Sequence, residues 1–367
     1  MTIAVITGTR PEIIKMYPII KLLDSRSIEY KYIHTGQHYD YNLFLKFIEE
    51  FEIRKPDICV SADVSNPVMQ VASMMEKIGG ILNELRPSMV LVEGDTNSVL
   101  ASALAALKSN IPIGHVEAGL RSNDWKTVEE HNRRIVDHVS NLLFAPTDIS
   151  AGNLQKENVH GKIYTVGNPV IDAIKLCLAK GKPYNNDPQD SNISISEIDQ
   201  YKDDYILVTM HRSENVDQMS ILNEVLAALS ESKQKYIFPV HPHTLKRIQQ
   251  YGIKNIAKGI HIIKPVGYFD FLNLLKNCKF VITDSGGIQE EITSPQINKR
   301  ALVLRDYTER PESVNSDHSV LCKIDRKAIL KNIMTLMLSA NIPPSASPYG
   351  LGNAAKNIVK VIENKYH

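Results

Sequence analysis

The sequence lacks most of the features that quickly assign a chain to a class. Its four cysteines, Cys59, Cys177, Cys278 and Cys322, are scattered and form no CxxC pair. A disulfide framework or a cysteine zinc site is therefore not expected, and reduced thiols in a cytoplasmic compartment are. Charge of one sign is also lacking, since 42 basic and 41 acidic side chains leave a net charge of +1. That balance gives no reason to expect nucleic acid or an acidic membrane surface as partner, and it is compatible with a local cationic site for a small anion. No apolar run is long enough to cross a bilayer. The opening MTIAVITGTRPE has no charged leader before a long apolar core, so no secretory signal is expected. No HExxH or other ligand spacing points to a metal. No GxGxxG follows an apolar strand, and Gly8-Thr9-Arg10 puts a bulky cation where that motif needs its second glycine. Neither a metal nor a nicotinamide cofactor is expected.

What is present is a repeated alternation. The 367 residues exceed what one typical hydrophobic core organises, so two domains are the default. Short apolar runs end in turn residues and open into helical patterns. Ile3–Thr7 ends at Gly8, with Pro11 in the first turn of the helix that follows. Tyr30–His34, Met89–Val92, Ile113–Val116, Leu142–Ala145 and Ile163–Val166 repeat the pattern. A polar, proline-containing stretch at 181–200 reads as an exposed connection. A second series begins at Tyr205, with strands Tyr205–Thr209, Tyr236–Pro239, His261–Ile263, Phe280–Thr283 and Ala301–Leu304. Beyond Tyr307 the chain reads as irregular, and two helical patterns, Lys327–Ser339 and Ala354–Asn364, close it. The fold class expected is α/β, as two doubly wound Rossmann-like domains, each a parallel sheet covered on both faces, with a hinge near 168–175. Ligands of such sheets bind outside the carboxyl ends of the strands, so the chemistry is expected in the turns, in a cleft between the domains.

Several turns carry chemistry-bearing residues, each with two readings. Asp284-Ser285-Gly286-Gly287 follows a strand and opens a helix. Free backbone N–H groups there hold a diphosphate, or the motif is an ordinary helix cap. Glu291, one turn on, accepts ribose hydroxyls or is a solvated surface acid. Arg10 is a fork donor just before a helix N-terminus, suited to a phosphate or simply exposed, and Lys15, one turn further along, faces the same cleft or, as is commoner for a helix lysine, is solvated. Arg310 sits among acids, and Glu309 or Glu312 can pair with it. Asp95 and Glu117 end consecutive strands, which lie about 5 Å apart, so the two carboxylates can share a pocket and split their pKa values. Asp95 is otherwise a helix cap. Glu129 and Glu130 begin a helix, where acids are favourable in any case. His211 and His241 end strands of the second series, placed to donate a proton, bind phosphate or serve the structure.

Together the segments GTRPEIIK (8–15), TGQH (35–38), EGDTNS (93–98), HVEAGLRS (115–122), EEHNR (129–133), APTDIS (145–150), GNPVID (167–172), VTMHRSEN (208–215), PVHPH (239–243), TDSGGIQEE (283–291) and RDYTERPE (305–312) resemble the non-hydrolysing UDP-N-acetylglucosamine 2-epimerase family, in order and across nearly the whole chain. The resemblance implies an architecture like that of the B-class glycosyltransferases, a homodimer and a UDP-sugar substrate. It implies an N-terminal Rossmann-like domain over 1–168 with the acid–base carboxylates. A C-terminal Rossmann-like domain over 169–350 would bind UDP, and a closing helix in 351–367 would pack back on the first domain. Carried over by residue, Asp95, Glu117 and Glu129 would be the acid–base group, with His211 near the departing diphosphate. Arg10 and Lys15 would contact substrate, and Phe271 would lie at the uracil. Ser285, Gly286 and Gly287 would lie at the diphosphate, Glu291 at the ribose and Arg310 at the phosphates. The implied reaction is reversible epimerisation at C2 through elimination of UDP to a glycal and re-addition, supplying a precursor for surface polysaccharide or glycan synthesis. The alternatives are epimerisation of a related UDP-2-acetamido sugar, such as a 2,3-diacetamido uronic acid, hydrolysis of the glycal, a glycosyltransferase, and a UDP-sugar sensor. The family's regulatory QHRQ-like run is here Gln37-His38-Tyr39-Asp40, which does not match it.

Overall fold

The structure is a computed structural model that describes residues 2–36, 48–63, 65–180, 202–253, 259–339 and 345–366. The stretch 181–200 and the run Gln37–Asp40 lie outside the described residues. The chain divides into two units, Met1–Leu176 with Tyr349–His367, and Cys177–Pro348.

In the first unit the strands are β1 (Ile3–Thr7), β2 (Tyr30–His34), β3 (Ile58–Cys59), β4 (Met89–Glu93), β5 (Ile113–Val116), β6 (Leu142–Ala145) and β7 (Lys162–Thr165). They pair in parallel in the order β3-β2-β1-β4-β5-β6-β7. Every residue of β1, β4, β5 and β6 is buried, as an unbroken apolar run covered on both faces requires. The helices form for local reasons. Asn66 caps helix Pro67–Leu85 by accepting the Met69 N–H at 3.0 Å, and Thr147 caps helix Asp148–Lys156 through the Ser150 N–H at 3.1 Å. Helix Asn97–Lys108 presents Ala and Ser on its buried face, which lets helices Pro67–Leu85 and Val128–Val139 pack close against it. Helix Ala354–Tyr366 packs on helix Arg10–Ser25.

In the second unit the strands are β8 (Ile206–Thr209), β9 (Tyr236–Pro239), β10 (Ile260–Ile263), β11 (Val281–Thr283), β12 (Ala301–Val303) and β13 (Ser319–Leu321). Their order is β10-β9-β8-β11-β12-β13, again all parallel. One core runs from Ile206, Val208 and Phe238 through Leu222, Leu226 and Leu229 of helix Met219–Glu231 to Ile329, Ile333 and Leu336 of helix Arg326–Ser339. Both sheets are thus doubly wound, and each has one switch point, between β1 and β4 in the first and between β8 and β11 in the second. At these points consecutive chain connections leave in opposite directions and open a crevice at the strands' carboxyl ends. Among the described residues no helix is long and apolar enough to cross a membrane.

Several elements differ from the sequence expectation, among them the two-residue strand β3 and the one-turn helix Ser213–Val216, which it does not include. Helix Pro67–Leu85 is not among the elements expected, although its Asn-Pro start is a legible cap. Strand β13 and helix Pro311–Asn315 lie where the chain reads as irregular, because three and five residues are too few to show a period.

One side chain anchors the C-terminal helix. Asp172 accepts the N–H groups of Ala354 and Ala355 at 3.0 and 3.1 Å, two of the donors that a helix start leaves without partners. Asp172→Ala is expected to lower stability by about 1 kcal/mol and to speed amide exchange selectively in 354–366. An unaltered melting curve with unaltered exchange there would remove this role.

Candidate active site

Most of the residues singled out above lie in turns at the carboxyl ends of the strands, and each unit has a cluster organised by buried acids. In the first unit, Gly8 opens the turn after β1. A Cβ at this position would overlap Ser98 Oγ and Thr35 Oγ1, so the close approach of the turn to helix Asn97–Lys108 requires glycine. Glu12, 2% exposed, organises this turn. It accepts the Gly8 N–H at 2.6 Å, the Thr9 hydroxyl at 2.9 Å and, from the β4 turn, the Thr96 hydroxyl at 2.8 Å. Burial pushes its carboxyl up to about 7, against the pull of these hydrogen bonds. Arg10 is exposed at the helix start and makes no ion pair among the described residues.

One turn along the same helix, Lys15 is not a solvated surface lysine. It is 6% exposed, and its Nζ lies 2.5 Å from Glu117 Oε1 and 3.1 Å from Glu93 Oε1. Glu93 is the last residue of β4, and Glu117 follows Val116, its partner in the sheet register. Glu117 has φ +69°, a left-handed conformation that is strained for a residue with a Cβ and is held only where its surroundings over-determine it. Those surroundings are visible. The His115 ring bridges Asp137, 2.8 Å from Nδ1, and the Gly94 carbonyl, 2.9 Å from Nε2. Asp137 also accepts the Gly119 N–H at 3.2 Å and pairs with Arg121 at 2.8 Å. Burial alone would raise Asp137, but His115 and Arg121 hold it below the usual carboxylate range.

Asp95 does not cap the following helix. Thr96 does, through the Val99 N–H at 3.4 Å. The Asp95 carboxylate instead pairs with Arg133, whose Nε is 3.1 Å away. Arg133 is held in turn by Glu130 at 2.9 Å, and Glu130 also accepts the Ser122 N–H and hydroxyl at 2.9 Å each. Of the two adjacent glutamates, Glu130 is therefore the buried organiser. Glu129 is exposed in the helix's first turn, with no hydrogen bond or ion pair among the described residues.

In the second unit the organising acid is Asp284, fully buried after β11. It accepts the backbone N–H groups of His211 and Arg212 at 3.1 and 3.0 Å and the Asn215 side-chain amide at 3.1 Å, which ties the β8 turn to the β11 turn. Its Oδ1 is 3.1 Å from His211 Nδ1, which fixes a ring that is otherwise half-exposed. Burial would raise Asp284, but the His211 ring, the Arg212 N–H and Asn215 hold it low. The His241 ring lies 6.3 Å from that of His211.

Helix Gly286–Glu291 starts at Ser285, whose side chain caps nothing. The two glycines differ. A Cβ on Gly286 would come within 2.6 Å of both Arg310 Nη1 and Glu309 Oε1, whereas one on Gly287 would meet nothing nearer than Ser285 Oγ at 4.0 Å. The protein itself therefore requires glycine at 286, and the space beside 287 stands open. Arg310 is 8% exposed and pairs with Glu290 at 2.8 Å and with Glu309. Glu309 also takes Arg305 at 2.9 Å and Arg212 at 3.8 Å. Burial would raise Glu309, but the three guanidinium groups, Arg310 foremost, bring it down to about 2. Arg212 also pairs with Glu214 at 3.1 Å, so three arginines meet three glutamates here, and Arg310 is the cation beside Gly286. Glu291 is buried at the other end of the short helix and accepts the Tyr268 hydroxyl at 2.9 Å. Phe271 lies half-buried in helix Tyr268–Asn277.

The fold thus joins Lys15 to Glu117 in the first unit, and Gly286 to Arg310 in the second. Arg10, Glu129 and Phe271 stand in their predicted elements without a polar side-chain link to the others. Sequence reasoning missed Glu93, Glu12, Arg133, Tyr268 and the organising role of Asp284, whereas the pairing of Glu309 with Arg310 is one it names. A signal existed for Glu93, as an ionisable residue closing an otherwise apolar strand, and for Asp284, as the first residue after one.

The chain matches the family model described as UDP-N-acetylglucosamine 2-epimerase over residues 21–363. The UDP-N-acetylglucosamine 2-epimerase of Methanococcus maripaludis is 41% identical, with 98% of each chain covered. The crystal structure of Methanocaldococcus jannaschii UDP-GlcNAc 2-epimerase in complex with UDP-GlcNAc and UDP is 37% identical, covers 99% of this chain and 100% of its own, and superposes with a TM-score of 0.87. That of the Neisseria meningitidis UDP-GlcNAc 2-epimerase bound to UDP-GlcNAc is 31% identical at 99% and 100% coverage, also with a TM-score of 0.87. The chain belongs to the UDP-N-acetylglucosamine 2-epimerase family.

Proposed function

We propose that this protein is an isomerase that interconverts UDP-N-acetylglucosamine and UDP-N-acetylmannosamine at C2 of the sugar. The observation that carries this reading is full-length membership in the epimerase family combined with the buried Lys15–Glu117 pair. The C2 proton of the sugar is not next to a carbonyl, so direct deprotonation is too costly. Elimination avoids that cost. UDP leaves C1 as a base takes the C2 proton, a glycal forms, and UDP adds back with a proton delivered to the other face.

The two halves suit these demands differently. Elimination expels a diphosphate, and the second unit offers the Arg310 guanidinium beside the Ser285–Gly287 turn. Helix Gly286–Glu291 has six residues, so its N–H groups rather than a long macrodipole are the useful part. In this reading His211 stands near the departing phosphate, Glu291 holds the ribose in an orientation set by Tyr268, and Phe271 lies at the uracil. In the first unit, Glu117 and Asp95 are carboxylates kept in place by cations, and Glu129 is the third member of the proton-transfer group. Arg10 supplies an unengaged cation to the substrate. Lys15 acts on substrate through Glu117 as much as by its own charge. A glycosyltransferase has no proton to remove from the sugar carbon, and it would leave these carboxylates without a task. A homodimeric protein working in the cytoplasm completes the proposal.

Three outcomes test it. The protein, given UDP-N-acetylglucosamine in D2O without an acceptor, is expected to yield UDP-N-acetylmannosamine carrying deuterium at C2 by NMR. Free N-acetylmannosamine with UDP would show a hydrolysing enzyme instead, and no exchange would sink the reading. Glu117→Gln is expected to keep UDP affinity and lower kcat by about 100-fold or more. Normal turnover would exclude Glu117 from proton transfer. Gly287→Ala is expected to leave the melting temperature unchanged while weakening UDP binding by about tenfold or more, because the added methyl enters space that only a ligand fills. Unchanged UDP affinity by calorimetry would move the diphosphate elsewhere.

A further inference from the structure

We infer that Glu93 is a positioning residue of this site, which together with Lys15 holds the Glu117 carboxylate in a three-membered buried set. The inference rests on the function proposed above and concerns a residue outside the group to which that reading gives proton transfer.

The geometry is unusual for a carboxylate at a strand end. Glu93 is 1% exposed, and its Oε1 is 3.1 Å from Lys15 Nζ. The same ammonium is 2.5 Å from Glu117 Oε1, so one cation stands between two buried acids. The charged groups facing Glu93 come from two elements. Helix Arg10–Ser25 supplies Lys15 and Glu12, and the turn after β5 supplies Glu117. Two ionised carboxylates on one ammonium would leave an uncompensated negative charge out of reach of water, which is costly. The more deeply buried acid relieves it by keeping its proton. Burial raises Glu93 well above the usual carboxylate range, Lys15 opposes this, and the Glu117 carboxylate raises it further by charge and by hydrogen bonding. Protonated Glu93 donates to Glu117, Lys15 donates to the same carboxylate, and the set is neutral overall. Glu117, whose backbone is left-handed, is then held from two sides in one orientation. Misplacing a reacting carboxylate by about 1 Å lowers turnover by about 100-fold, which sets the size of the effect expected from losing this support.

Two substitutions and one spectrum decide the matter. Glu93→Leu removes the donor. It is expected to lower kcat by about 100-fold while KM, UDP affinity and the melting temperature stay near those of the parent. Glu93→Gln restores a neutral donor of the same shape and is expected to recover kcat to within about tenfold of the parent. Turnover by Glu93→Leu at the parental rate, or a Glu93→Gln variant as slow as Glu93→Leu, overturns the inference. If Glu93→Leu does not fold, the pH profile of Glu93→Gln decides. The parent's loss of kcat at high pH, where Glu93 ionises and draws Lys15 away, is expected to vanish, and an unchanged profile overturns the inference. Carboxyl-13C NMR of the glutamate-labelled free protein gives a readout that needs no turnover. One carboxyl is expected to stay neutral as the pH rises well past 7, where Glu12 has ionised, and to be missing in Glu93→Gln, and its absence from the parent also overturns the inference. A parent that shows this signal but does not epimerise UDP-N-acetylglucosamine sinks the proposed substrate and leaves the role of Glu93 standing.

Discussion

A single ammonium group shared by two buried carboxylates is the constraint around which the first unit is arranged. Lys15 reaches Glu93 and Glu117 from the second turn of helix Arg10–Ser25. It gets there only because the turn after β1 is tight enough to start that helix directly over the switch point. That tightness depends on Gly8 packing against Ser98 and on Glu12 binding the turn to Thr96. A lysine at this depth without an acid is pushed toward its neutral form, and so is a buried carboxylate such as Glu117 without the lysine. Each member of the set is therefore conditional on the others, and the backbone strain at Glu117 is tolerated because the set and the His115–Asp137–Arg121 network beneath it fix the turn from both sides.

The second unit uses the same topology with arginines in place of the lysine. Glu290 and Glu309 hold Arg305 and Arg310, and Arg212 lies between Glu309 and Glu214. Burying a lone guanidinium is expensive, and so is leaving it mobile in water if it must bind an anion quickly. Partial neutralisation resolves both demands. Glu309 and Glu290 hold Arg310 in one place, beside the turn at Gly286. Pairing within the protein is thus part of how such a site is built and no argument against Arg310 as a binding residue. Asp284 applies the same rule to the β8 turn, where one carboxylate orders two backbone N–H groups and a histidine ring.

The fold was largely legible because its signals are local and repetitive. Ile3–Thr7, Ile113–Val116, Leu142–Ala145 and Tyr236–Pro239 end where the apolar runs end. Elements without a period, such as the three residues of β13, were not legible. The site was legible as a set of turns but not as a set of contacts. Asp95 reads as a cap, and it is Arg133, a full turn into a different helix, that decides otherwise. Lys15 reads as a surface lysine because nothing within its own helix shows that β4 and β5 each bring a glutamate beneath it. The two adjacent glutamates at 129 and 130 cannot be told apart by spacing, yet one is fully buried under two arginines and the other is exposed. Side-chain pairing across a parallel sheet joins residues far apart in the chain, and a single sequence carries no record of it.

This distinction bears on how the chemistry is divided. Proton transfer at carbon needs carboxylates whose charge is balanced before substrate arrives, since an unbalanced acid in a dry pocket would pick up a proton and cease to be a base. Leaving-group departure needs cations whose charge is not fully balanced, since a saturated guanidinium has nothing left for a diphosphate. No single cluster meets both requirements. Two copies of one doubly wound design do, because the switch point fixes where side chains converge while leaving their identity free. In the first unit one lysine stands between two buried acids, and in the second several arginines are held by acids around a glycine turn. Under the function proposed above, that difference suits the first unit to carbon chemistry and the second to phosphate binding.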